Sequence, residues 1–210
     1  MVHVRLEGVT LEGSLRVPAG ARGIVLFAHG SGSSRHSPRN RMVAGLLNDG
    51  GLATLLMDLL TAEEEQIDLQ TRHLRFDIER LAGRLVGAVD WLGEQGETRD
   101  LRVGTFGSST GAAAALIAAA QRPRQVRAVV SRGGRPDLAG PSLKMIRAPT
   151  LLIVGGGDLP VIDLNKQAMA HMEANEVKLE IVPGASHLFE EPGTLQAVAR
   201  LALEWFTHYL

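Results

Sequence analysis

The stretch LRVGTFGSSTGAAAALIAAAQ, Leu101 to Gln121, runs from a short apolar segment through Gly107-Ser108-Ser109-Thr110-Gly111 into an alanine-rich helix former. This is the pattern G-x-S-x-G between a strand and a helix. A turn this tight holds its central residue in a strained backbone conformation, and only very small residues two places away, Gly107 and Gly111, avoid a clash. The turn lifts the Ser109 hydroxyl clear of the sheet edge. It also sets the Thr110 amide at a helix N-terminus, where the dipole and free N–H groups favour a developing oxyanion. The pentapeptide alone is weak evidence in a chain with 24 glycines, and its strand–helix context is what strengthens it. A dinucleotide site on Gly104, Gly107 and Gly111 would need an acidic residue about twenty positions later, and no Asp or Glu occurs between Leu101 and Pro136. No lysine follows the last glycine, which removes a phosphate-binding P-loop.

Outward from this turn, apolar runs recur at Gly23–Ala28, Leu52–Asp58, Ala128–Ser131, Thr150–Val154 and Lys178–Val182, with helical patterns between them. Strands alternating with helices predict an α/β fold with a mainly parallel sheet covered on both faces. Runs such as IVLFA and TLLIV are apolar throughout, as expected of strands buried on both sides. The first seventeen residues instead alternate apolar and polar around Gly8, which predicts an antiparallel hairpin at the sheet edge. Leu81, Leu85, Ala88, Val89 and Leu92 repeat at helical spacing over 78–95, and Leu195, Val198, Leu201, Ala202, Trp205 and Phe206 do so at the C-terminus. The segment TAEEEQIDLQTRHLRF, 61–76, shows no assignable pattern. No repeat or linker divides the chain, so one domain over 1–210 is expected.

A serine hydroxyl is a poor nucleophile until a histidine takes its proton and a carboxylate fixes that histidine's tautomer. On this topology the chain order is Ser, acid, His. Asp158 follows TLLIV through three glycines, at the carboxyl end of a strand. Asp163 is the rival acid, but it precedes Leu164-Asn165-Lys166-Gln167, where helix capping explains it. His187, in Pro183-Gly184-Ala185-Ser186-His187, follows the last strand; His3, His73, His171 and His208 do not sit at strand carboxyl ends. Ser109, Asp158 and His187 are therefore the expected catalytic triad. The loop His29-Gly30-Ser31-Gly32 after IVLFA is expected to give the second oxyanion donor beside Thr110, from the Ser31 amide with Gly32 as alternative. His29 reads as a buried, hydrogen-bonded structural residue.

These segments, FAHGSGSS, GTFGSSTG, LLIVGGGD and PGASH, make the chain resemble the α/β-hydrolase superfamily, and within it the small dienelactone-hydrolase-like group without a large lid. The resemblance covers nearly everything from Gly23 onward. It implies an eight-stranded, mostly parallel sheet and hydrolysis of esters or related acyl compounds through an acyl-serine intermediate, a mechanism that requires no metal or organic cofactor; the alternatives are a noncatalytic ligand-binding protein on the same scaffold, or an acyltransferase, peptidase or lyase using the same residues. True dienelactone hydrolases carry a cysteine nucleophile where this chain has Ser109, so dienelactone is not carried over as the substrate. About twenty residues separate Ala128–Ser131 from Thr150, too few for the helical cap of many lipases; an open site and small to moderate soluble acyl substrates are expected.

Composition narrows the alternatives. A formal charge of −1 gives no general case for nucleic-acid binding, and the absence of cysteine excludes disulfides, thiolate metal sites and a cysteine nucleophile. No stretch is long enough to span a bilayer, and no secretory signal is visible, so a cytoplasmic protein is expected. The segments Arg35, His36, Arg39, Asn40 and Arg41, and Arg132 and Arg135, carry local positive charge, which reads first as surface ion pairs or helix-end contacts and alternatively as recognition of an anionic group on the substrate or of an acid product. The hairpin edge and the Trp205-Phe206-Tyr209 cluster are candidate contacts in a homodimer.

Overall fold

The fold described here is a computed structural model in which all of residues 1–210 are described. The alternating N-terminal segment forms β1 (Val2–Leu6) and β2 (Val9–Arg16), paired antiparallel. Gly8, at φ +72°, makes the turn between them. The apolar runs become β3 (Gly23–Ala28), β4 (Ala53–Met57), β5 (Arg102–Ser108), β6 (Val126–Arg132), β7 (Thr150–Gly155) and β8 (Val177–Val182). The sheet order is β1-β2-β4-β3-β5-β6-β7-β8, parallel from β4 to β8. Every residue of β3, β4 and β7 is buried, as strands covered on both faces require.

Helices α1 (Pro38–Asp49) and α6 (Thr194–Tyr209) cover one face; α3 (Ile78–Glu94) and α4 (Thr110–Gln121) cover the other. Residues Thr110 to Ala120 of α4 are all buried. Its alanines let the helix lie close to the sheet with α3 packed beside it. Between β7 and β8 runs α5 (Leu159–Met169). Only two short 3-10 turns within Pro136–Met145, kinked at Gly140, stand between β6 and β7. No helix is long and apolar enough to cross a membrane.

The 61–76 segment holds a helix, α2 (Ala62–Thr71), and a 3-10 turn, Leu74–Phe76. It has almost no buried face; Asp68 is its one buried helical residue. Its start was nevertheless written in the sequence as T-x-x-E: the Thr61 hydroxyl accepts from the Glu64 amide and the Glu64 carboxylate accepts from the Thr61 amide. Arg84 of α3 then clamps Glu64 through two bonds of 2.6 Å and also donates to the Leu59 carbonyl. That hydrogen-bonded guanidinium holds the Glu64 carboxyl below the usual carboxylate range. Charge pairing, in place of an apolar stripe, fixes α2.

Two of the three C-terminal aromatics are not free for a dimer contact. Phe206 is fully buried, Trp205 is nearly so with its indole N–H on the Pro149 carbonyl, and only Tyr209 is partly exposed.

The crossing of α4 over β3 depends on a missing side chain. A Cβ on Gly111 would stand 2.4 Å from both the Ala28 and His29 carbonyl oxygens, and these are backbone atoms of a buried strand end. Gly111→Ala is therefore expected to cost about 3 kcal/mol or more of stability. Gly83→Ala, on the exposed side of α3 with nothing within 4 Å, should gain about 0.5–1 kcal/mol. Urea midpoints of the two variants check this, and matching midpoints would refute it.

Candidate active site

The carboxyl ends of β3, β5, β6, β7 and β8 bring the relevant loops together, and β5 supplies the centre. Ser109 has φ +50° and ψ −122°, a left-handed conformation uncommon for a non-glycine residue. The surroundings enforce it: the Ser109 amide donates to the Arg132 carbonyl at 3.3 Å, and its own carbonyl accepts from the Ala112 and Arg135 amides, both at 3.1 Å. A Cβ on Gly107 would meet the Ala112 Cα at 2.3 Å, and one on Gly30 would meet the Ser109 Cβ at 3.1 Å. Strand, elbow and β3 loop interlock through glycines. The Ser109 side chain makes no capping bond and faces a pocket of about 260 Å³ that it shares with His187.

His187 sits in the loop after β8. Its Nδ1 lies 2.6 Å from Asp158 Oδ2, with the Asp158 side chain 13 % exposed and that of His187 38 %. Asp158 follows β7 at the head of α5 without capping it. The rival Asp163 is not an N-cap as expected; α5 begins five residues earlier, because Pro160 falls in the first turn, where proline fits a helix. Asp163 is exposed within α5 and forms no ion pair. Two residues that sequence reasoning passed over hold the histidine loop. The Ser186 amide donates to the Glu191 carboxylate at 3.0 Å, which keeps that carboxyl below its usual range. Phe189 is buried at φ +57°, fixing the chain just beyond His187 in the core.

The expected oxyanion donors lie together with a modification. The Thr110 amide is at the first helical position, where it has no intrahelical acceptor. The Ser31 amide is not free, since it donates to Thr110 Oγ1 at 3.0 Å. The two donors are thus joined through one hydroxyl. Gly32 turns the other way: at φ +69° it lines a separate small cavity with Asp68 and Arg75, not the Ser109 pocket. His29 is structural, its Nε2 accepting from the Leu59 amide and its Nδ1 lying 2.9 Å from the Gly30 carbonyl. Burial holds its pKa below the ordinary imidazole value.

The basic residues separate into two groups. Arg35 is taken by Asp58 and Glu12, with a side chain only 12 % exposed, and ties the β3 loop to β2 and β4. His36 and Arg41 are exposed along a groove away from Ser109. Arg135 is paired with Asp137. Those four do not line the Ser109 pocket; Arg39, Asn40 and Arg132 do.

Sheet order, elbow and histidine loop define an α/β hydrolase. The model of the Dienelactone hydrolase family matches residues 11–210, and the chain belongs to that family. It is 64 % identical to a dienelactone hydrolase from Anabaena variabilis, whose crystal structure covers all of this chain and is itself 96 % covered, with a TM-score of 0.98. Its fold is shared by Est1E from Butyrivibrio proteoclasticus (15 % identity, 98 % of each chain, TM-score 0.76). An esterase from Pyrococcus furiosus is similarly related (17 % identity, 99 % of this chain and 90 % of that one, TM-score 0.81). A Mycobacterium tuberculosis protein named as a phosphoribosyl transferase is 59 % identical over all of this chain. The chain spans only 46 % of that protein's length, about half of the curated relatives it matches.

Proposed function

We propose that this chain is a serine hydrolase of carboxylic esters, acting in the cytoplasm on small to moderate soluble acyl substrates without a metal or organic cofactor. The observation that carries the reading is the strained Ser109 sharing one pocket with His187, whose Nδ1 is 2.6 Å from the Asp158 carboxylate. In this reading His187 takes the Ser109 proton as the hydroxyl attacks the acyl carbon. Asp158 holds the imidazole in the tautomer that presents Nε2 to the serine and supports the imidazolium that forms. The Thr110 amide receives the oxyanion, and the Ser31 amide joins it once the Thr110 hydroxyl lets it go. His187 then protonates the leaving alcohol, and water attacks the acyl-serine by the same route. In the longer mycobacterial relatives, the half that matches this chain would carry the hydrolase.

A fluorophosphonate probe tests the assignment. A covalent adduct is expected at Ser109, with turnover of 4-nitrophenyl esters lost in proportion to labelling. A chain that turns over esters while Ser109 stays unlabelled would exclude this nucleophile. Absence of both label and turnover would make the pocket a binding site only.

A further inference from the structure

The wall of the Ser109 pocket holds a charge that the catalytic assignment does not use. Arg132, the last residue of β6, is 7 % exposed and forms no ion pair. Its Nη2 donates to Asn40 Oδ1 at 3.2 Å, and its buried Nε has no partner. A buried guanidinium normally has a carboxylate, because an uncompensated charge in the interior is costly. This chain follows the rule elsewhere: Arg84 has Glu64, Arg35 has Asp58 and Arg75 has Asp68. Arg132 has a second cation instead. Burial, and then the charge of Arg39, bring its pKa down to about 10, so it remains charged at neutral pH.

We infer that Arg132, with Asn40 beside it and Arg39 at the mouth, forms a subsite for a compact oxyanion, a phosphate or carboxylate, carried by the substrate of Ser109. Nothing acidic lines the pocket, and Leu188 is its one apolar residue. An ester with a purely hydrocarbon acyl chain would find little to bury there. Asn40 Oδ1 already accepts from both Ser108 Oγ and Arg132, which fixes the amide and leaves Nδ2 as a donor with no acceptor in the protein. The Arg132 guanidinium at the pocket wall, that Nδ2 and the hydroxyls of Ser31 and Ser33 offer more donors than the two oxygens of a carboxylate use well, and they favour phosphate. Arg39 can join them, since its bond to Glu190 is 3.4 Å long and solvent-exposed, worth little to either partner. Anion recognition thus moves from Arg35 and His36, which are paired or remote, to a buried residue at the end of a central strand.

The part of the inference that concerns substrate rests on the hydrolase reading; anion binding does not, so titration calorimetry with inorganic phosphate and with acetate tests it without turnover. Wild type is expected to bind phosphate more tightly than acetate. Arg132→Met should weaken phosphate binding about 30-fold or more, as loss of a buried charged hydrogen-bond partner does. Arg39→Ala should weaken it less, and Arg135→Ala, whose charge is paired outside the pocket, should leave it unchanged. Arg132→Met should melt no lower than wild type in anion-free buffer, because it removes an uncompensated buried charge. Tighter acetate than phosphate, with the same dependence on Arg132, assigns the subsite to carboxylate esters. Binding of neither anion, equal binding by Arg132→Met and Arg135→Ala, or an Arg132→Met chain that melts well below wild type overturns the inference.

Discussion

Ser109→Ala is expected to leave a folded chain whose ester turnover falls about 10⁵-fold or more, the scale seen when a nucleophile that acts with its histidine as a unit is removed. The loss should appear in kcat, because the other two hydroxyls of the elbow are engaged elsewhere: that of Thr110 accepts from the Ser31 amide. Ser108 is buried beside Ser109, but its Oγ donates to Asn40 Oδ1 on the arginine side of the pocket. The backbone makes a second variant informative. At φ +50° and ψ −122° any residue with a Cβ is strained by about 1–3 kcal/mol, so Ser109→Gly should be as inactive as Ser109→Ala and yet melt higher. Turnover of Ser109→Ala within tenfold of wild type would remove this residue from the mechanism. A lower melting point for the glycine variant would remove strain from the account of the elbow.

Asp158→Asn should lower kcat by about 10⁴-fold while leaving substrate affinity nearly intact. A carboxylate 2.6 Å from Nδ1 favours the tautomer with its proton on Nδ1, which in the proposed mechanism leaves Nε2 free to take the serine proton. An amide can instead present its NH₂ to Nδ1, selecting the opposite tautomer and leaving no base for the hydroxyl. Asp163→Asn, an exposed change within α5, should stay within about twofold of wild type, as an unpaired surface charge contributes little. Steady-state kinetics on one neutral ester read both variants. Comparable losses in the two, or a greater one in Asp163→Asn, would reassign the acid.

The parts of the molecule legible in the sequence are those where one physical demand dominates. A strand buried on both faces must be almost wholly apolar, so β3, β4 and β7, the last two with a single buried threonine each, announce themselves, and the elbow does so through the glycines its backbone needs. Helix α2 was opaque because it is held by Glu64–Arg84 and Asp68–Arg75 pairs with almost no apolar face; its capping box was the one local signal. The early start of α5 was masked by three glycines and Pro160, residues that suit a turn as well as a first helical turn. Arg132 was visible only as one more positive charge near the site. Nothing in a sequence distinguishes a solvated arginine from one sealed at a strand end without a carboxylate, because that difference lies in what the fold leaves out.

If Ser109 is acylated as proposed, the two short 3-10 turns that join β6 to β7 bear on what becomes of the acyl group. An enzyme that covers its intermediate can choose which acceptor reaches it, and its cycle then waits on the cover. Here the span between those strands supplies no such cover, and the imidazole of His187, the base of the proposed mechanism, is itself in contact with solvent. In the proposed mechanism the commonest acceptor at that imidazole is water, so the acyl-serine is expected to partition to the free acid, with added alcohols competing by concentration alone.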